Sequence, residues 1–209
     1  MLNFLKSLFK KESSFLNEED IMKKFLIVGL GNIGDEYKET RHNIGFKVLD
    51  ALATKKEFSF ETAKLGDIGM FKIKGRSVRC LKPSTYMNRS GKALKYWMDK
   101  EKIPLENVLI ITDDINLQFG TIRIKTKGSD GGHNGLKDIQ LFLQGNKYNR
   151  FRFGVGADFG KGRQVEYVLG KWNEDENSAM VERLKKSTEV VNSFVLEGIA
   201  RTMNQFNNS

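Results

Sequence analysis

Phe25-Leu26-Ile27-Val28-Gly29-Leu30-Gly31-Asn32-Ile33-Gly34 decides the fold class of this 209-residue chain. An unbroken apolar run that ends in glycine reads as a strand buried on both faces, the kind found in sheets covered by helices. Val108-Leu109-Ile110-Ile111 is a second run of the same type. Between them, Ile44, Val48, Leu49 and Leu52 recur at helical spacing, as do Ala93, Leu94, Trp97 and Met98. Met70–Ile73 and Ser77–Leu81 flank Lys74-Gly75-Arg76 and predict a hairpin. Further along, Thr121 to Lys125 is expected as a hairpin arm following the second buried strand. Leu136, Ile139 and Leu143 mark a helix, and Phe151 to Gly156 another strand. Residues 174–205 form one long helical region, interrupted near Gly198. Strands alternating with helices predict one α/β domain with a mixed, mostly parallel twisted sheet flanked by helices.

Residues 1–21 differ from the rest. Leu2, Phe4, Leu5, Leu8 and Phe9 cluster on one face of a short helical pattern beside Lys6, Lys10 and Lys11. The stretch is too short and too interrupted to span a bilayer, and it lacks the features of a secretory signal. It is expected to be a mobile extension, with the working domain at residues 22–209. The formal charge of +9 resides in that domain, because residues 1–21 hold three Lys against four acids. Such an excess favours a polyanionic partner without choosing among DNA, RNA and anionic lipid. The single cysteine, Cys80, lies in an alternating apolar run and reads as a buried side chain; no intrachain disulfide can form, which fits a reducing cytoplasm.

Sites in open α/β sheets form beyond the carboxyl ends of strands. Three predicted strand ends are rich in polar residues here: Gly31-Asn32, Pro83 to Asn88, and Thr112-Asp113-Asp114. A fourth polar loop, Gly131-Gly132-His133-Asn134-Gly135, enters a helix. The first loop matches G-x-G-x-x-G, a dinucleotide signature. Yet Asp35 to Thr40 intervene before the helix, two acids follow the last glycine, and Asp50 lies inside the helix. The glycines are therefore expected to admit a substrate, with a nucleotide-dependent oxidoreductase as the rival reading. His42 and His133 are the only histidines. A carboxylate at a strand end can fix the tautomer of an imidazole and stabilise its cation, so His42 with Asp113 is a candidate pair for activating water. No acid–histidine group has metal-ligand spacing, and no serine sits in a nucleophile elbow. Asn32, Asn88 and Asn134 offer neutral amides for a peptide backbone or a developing oxyanion.

Taken together, these stretches resemble the bacterial-type peptidyl-tRNA hydrolase family. The resemblance rests on Val28-Gly29-Leu30-Gly31-Asn32-x-Gly34-x-x-Tyr37-x-x-Thr40-Arg41-His42-Asn43-x-Gly45, on Pro83-x-Thr85-Tyr86-Met87-Asn88-x-Ser90-Gly91, and on Gly131 to Lys137. Arg150 to Gly156 and Val168-Leu169-Gly170 complete it, in order, from about Lys23 to residue 205. It implies a monomeric cytoplasmic enzyme, without metal or cofactor, that recycles peptidyl-tRNA by cutting the ester between peptide and tRNA. The residue aligned with His42 is then the general base, supported by that aligned with Asp113, with Asn32 near the scissile ester. Asn88 and Asn134 hold peptide or the tRNA end; Tyr37, Tyr86, Met87 and His133 belong to the substrate cleft. Arg123, Lys125 and Arg152 meet tRNA phosphates. The chain departs from the family pattern at Ile33, Asn116 and Gln118-Phe119. A non-catalytic RNA-binding relative is the second rival, expected to lack His42 or Asp113.

Overall fold

The computed structural model describes residues 22–207, so the expectation for residues 1–21 lies outside the described residues. In chain order the elements are β1 (Lys24–Gly29), α1 (Ile44–Lys56), β2 (Glu61–Ala63), β3 (Gly66–Ile73), β4 (Arg76–Pro83), α2 (Ser90–Glu101), β5 (Val108–Asp114), β6 (Ile122–Lys127), α3 (Asn134–Leu143), β7 (Lys147–Gly154), α4 (Gln164–Val168), α5 (Glu174–Glu197) and α6 (Ile199–Phe206). Seven strands form one sheet in the order β2-β3-β4-β1-β5-β7-β6. Its centre, β4-β1-β5-β7, is parallel, and the wings β2-β3-β4 and β7-β6 are antiparallel.

Side-chain alternation sends each central strand into two cores. Phe25 and Ile27 of β1 join Leu109 and Ile111 of β5 on the face covered by α1, α5 and α6. Leu26 and Val28 join Val108 and Ile110 on the other face, under α2 and α3. The unbroken hydrophobic runs follow from this arrangement, since neither face of these strands meets water. Cys80 is completely buried in the first core, where burial pushes its thiol far above the ordinary range against a smaller opposing effect of Lys82.

The wing strand at Ile122–Lys127 departs from expectation. It makes no pairing with β5; β7 lies between them, parallel to β5 and antiparallel to β6. β7 also begins earlier than its apolar pattern, because buried Asn149 and Arg150 find carbonyl partners for their terminal side-chain nitrogens. The Asn149 amide donates to the carbonyls of Glu106 and Val108, and the Arg150 guanidinium to those of Gly128, Ser129 and Asn146. The outer edge of β6 is closed at Ile124, whose N–H and C=O both bond the Asn207 side chain at the end of α6. Such a plug blocks pairing with another chain at that rung. The interruption at Gly198 appears as the boundary between α5 and α6.

The site is placed by how β1 meets α1. A Cβ on Gly29 would lie 2.3 Å from the Gly45 carbonyl oxygen, and one on Gly45 would lie 2.3 Å from the Leu30 nitrogen. Backbone thus packs directly on backbone, drawing the start of α1, and His42 just before it, against the end of β1. Overpacking of this kind typically costs ~1–3 kcal/mol. Gly45→Ala should lower the unfolding free energy by about that amount in urea titration; an unchanged midpoint would show that this contact is not tight.

Candidate active site

The loops beyond β1, β4 and β5, with the loop before α3 and the α4 segment, enclose a cleft of about 510 Å³. His42 and Asp113, 71 residues apart, meet in it. His42 Nδ1 lies 3.0 Å from both Asp113 oxygens. Asp113 is the penultimate residue of the fully buried β5 and is itself 5% exposed. His42 sits in a short 3-10 turn, Arg41–Asn43, leading into α1. That turn is fastened from behind. The Arg41 guanidinium donates to the Lys171 carbonyl at 2.7 Å, pairs with buried Glu176 at 2.7 Å and stacks 4.4 Å over the Tyr167 ring. The same Glu176 oxygen accepts the Asn173 N–H, closing a capping box on α5. Arg41 stands in the Thr40-Arg41-His42-Asn43 motif, but nothing in the sequence gives it this anchoring role.

Asn32 is held as firmly. Its backbone N–H donates to Asn43 Oδ1 at 2.8 Å and its carbonyl accepts from Asn43 Nδ2 at 2.9 Å. Its side-chain oxygen accepts the Met87 N–H at 2.9 Å, tying the β1 and β4 loops together. Among the described residues its Nδ2 has no protein acceptor, and Asn32 lines the cleft as a donor of fixed orientation. Asn43, 2% exposed, is a positioning residue that the sequence reading quoted but gave no role.

His133 does more than shape the wall. Its Nδ1 caps α3 by accepting the N–H groups of Gly135 and Leu136 at 3.1 and 3.2 Å. A lone pair used this way leaves the ring hydrogen on Nε2. That nitrogen lies 2.9 Å from Asp113 Oδ1 and 2.8 Å from Thr112 Oγ1. Asp113 therefore serves both histidines. Burial alone would raise its proton affinity, but the two imidazoles outweigh that and hold the carboxyl well below its ordinary range. For His42, burial acts to lower the pKa, and the charge and hydrogen bond of Asp113 overcome it, so the net shift is upward.

His42, Asp113 and His133 place ligand atoms within 4.8 Å of one another, the one such group of three or more among the described residues. The hydrogen bonds disfavour a metal there. With Nδ1 accepting two helix N–H groups, His133 would have to lose its only ring N–H hydrogen, becoming an imidazolate, to offer Nε2 to an ion. The dinucleotide reading also fails on packing. The Cβ positions of Gly29 and Gly31 meet the Gly45 backbone and the Phe46 ring. These glycines admit α1, not the substrate they were expected to admit, and a pyrophosphate has no approach on that side.

Of the other expected residues, Tyr86, Met87, Asn88, Asn134, Lys125 and Arg152 line the cleft; Tyr37 and Arg123 are not among its lining residues. Tyr37 lies in the separate turn Asp35–Tyr37, and Arg123 stands opposite Arg152 on β6. Arg152 is ion-paired through Nε with Asp114. Leu169, part of the Val168-Leu169-Gly170 motif, also lines the cleft, as do Asp130, Gln164 and Val165, which no sequence pattern marks.

The family model matching residues 26–209 is that of peptidyl-tRNA hydrolase. A peptidyl-tRNA hydrolase of Bacteroides fragilis is 57% identical over 184 residues, covering 88% of this chain and 98% of its own. One of Phocaeicola vulgatus is 54% identical over the same coverage. The crystal structure of peptidyl-tRNA hydrolase from Acinetobacter baumannii superposes with a TM-score of 0.83 at 39% identity, covering 90% of this chain and 96% of that one.

Removing the Asn43 side chain leaves the Asn32 N–H and carbonyl buried without partners. Each such group costs about 1–3 kcal/mol. With two such groups, Asn43→Ala should lose about 2–6 kcal/mol of stability by chemical denaturation, and a loss under about 0.5 kcal/mol, the scatter of neutral surface changes, would contradict the clamp.

Proposed function

The chain belongs to the peptidyl-tRNA hydrolase family, and on that premise we propose that His42 is the general base of the reaction. The enzyme hydrolyses the ester that joins a peptide to tRNA. The observation that carries the assignment is the contact of His42 Nδ1 with both oxygens of buried Asp113. With Nδ1 committed as a donor, Nε2 is the ring nitrogen left to take a proton from water. The water oxygen attacks the ester carbonyl, its proton passes to Nε2, and Asp113 stabilises the imidazolium that results. Collapse of the tetrahedral intermediate returns that proton to the departing ribose oxygen, freeing tRNA and peptide. Asn32 Nδ2 donates to the ester carbonyl as its charge develops. Asn88 and Asn134 bind the peptide backbone, so an unblocked aminoacyl group, with its charged amine, is a poor match. The reaction needs no metal or cofactor, and the enzyme acts as a cytoplasmic monomer. Among the described residues, no helix is long and apolar enough to cross a membrane.

The tRNA surface belongs to the β6–β7 wing. Arg123 stands opposite Arg152, Lys125 opposite Arg150 and Lys127 opposite Lys147. Residues opposite one another share a face of the sheet, and like charges there are destabilising. Asp114 relieves Arg152, and carbonyls enclose Arg150. Lys125 is exposed at the cleft with no ion pair among the described residues. A phosphate backbone supplies the missing anions without requiring a sequence, as suits a substrate class of many tRNAs.

His42→Ala should lose ~10²–10⁴-fold in kcat on N-blocked aminoacyl-tRNA with tRNA affinity retained; wild-type turnover would remove His42 from the mechanism. Because neutral His42 is the active form and its pKa is raised, activity should fall as pH drops through a value above 6.5. An acid limb below 6.5 would contradict the Asp113 contact. Lys125→Ala should raise KM with kcat nearly unchanged and reduce the slope of log affinity against log salt by about 1; an unchanged slope would place the tRNA elsewhere.

A further inference from the structure

We propose that His133 is a positioning residue that sets the basicity of His42 by drawing off part of the carboxylate the two histidines share. This inference rests on His42 being the base. Asp113 receives N–H groups from two imidazoles whose ring centroids are 4.9 Å apart: His42 through Nδ1 and His133 through Nε2. They differ in what holds the second ring nitrogen. His133 Nδ1 accepts two N–H groups at the start of α3, so protonating it would break both cap bonds and bring a cation to the positive end of the helix. With Nδ1 held as the cap's acceptor, His133 is a donor to Asp113 through Nε2. The His42 ring has no such restraint on Nε2. Each hydrogen bond that Asp113 accepts from His133 weakens what it can give to the His42 cation. The base is thereby held at a lower proton affinity than an undivided carboxylate would confer, and more of it is neutral near neutral pH.

Other charged groups at the cleft surround this trio without replacing its central contact. From β5, Asp114 is ion-paired with Arg152 of β7. From β7, Arg150 is enclosed by the carbonyls of Gly128, Ser129 and Asn146. From β6 comes Lys125, from the loop before α3 Asp130, and from the β4–α2 loop Tyr86. From the His42 turn itself, Arg41 pairs away from the cleft with Glu176 of α5. The α4 segment contributes Gln164, Val165, Val168 and Leu169, none of which titrates. Asp113 alone contacts both rings.

His133→Asn separates the two jobs of the residue. Asparagine is a good helix N-cap and can accept the same N–H groups, but it is too short to reach Asp113. It also leaves His42 as the only histidine, so its imidazole resonances are unique in the spectrum. Two readouts are needed, the His42 pKa by NMR titration and the acid limb of kcat/KM. The pKa should rise by roughly half a unit or more, and the acid limb should move upward with it. If neither moves while stability is retained, His133 is a helix cap and no more, and the inference is overturned with the base assignment intact. If the imidazole pKa rises and the acid limb does not follow, the shared carboxylate stands and His42 is not the base. Should His133→Asn fail to fold, imidazole ¹⁵N shifts of the unaltered protein decide the matter: His133 must be protonated at Nε2 and not at Nδ1, and the reverse tautomer overturns the inference.

Discussion

A carboxylate that is almost wholly out of water has to be matched by donors, and at Asp113 those donors are imidazoles. Burying an ionised group without partners costs several kcal/mol, so the structure around Asp113 is obliged to keep His42 and His133 in place. Each histidine is in turn fixed by something else. His42 rides on the Arg41–Asn43 turn, locked by Glu176 behind and by Asn32 in front. His133 is fixed by the first turn of α3. The β1 loop, the β4 loop, the start of α1, the α3 cap and the start of α5 thus converge on one charge.

The fold supplies that charge at a fixed point. Parallel pairing of β4, β1, β5 and β7 aligns their carboxyl ends along one edge, and the exits of β1 and β4 lead to helices on opposite faces. The cleft opens there. Close contact between Gly29 and Gly45 keeps α1 near enough for His42 to reach β5. The G-x-G-x-x-G pattern, which in another setting would cradle a pyrophosphate, here makes room for a helix.

The central strands, the helices and the His42–Asp113 pair were legible because each depends on short-range pattern or scarcity. Two histidines and a carboxylate at a strand end leave few combinations. The placement of β6 was not legible. A strand's neighbour is decided by the connection that follows, and nothing in Ile122 to Lys127 announces that β7 will come between it and β5. The second histidine on Asp113, the Asn43 clamp on Asn32 and the Arg41–Glu176 pair were hidden for a related reason. They join residues 20, 11 and 135 positions apart through loop geometry that has no periodicity to read. Family resemblance brought Tyr37 and Arg123 into the candidate set, and neither lines the cleft.

The most direct measurement of whether the imidazole and the carboxylate act as one device is a double-mutant comparison on N-blocked aminoacyl-tRNA, with the kcat of Asp113→Asn and His42→Ala taken singly and together. If Asp113 acts only through His42, the double variant is no slower than His42→Ala, the non-additivity of residues that work as a unit. If the two losses multiply, Asp113 contributes by another route and the dyad account is wrong.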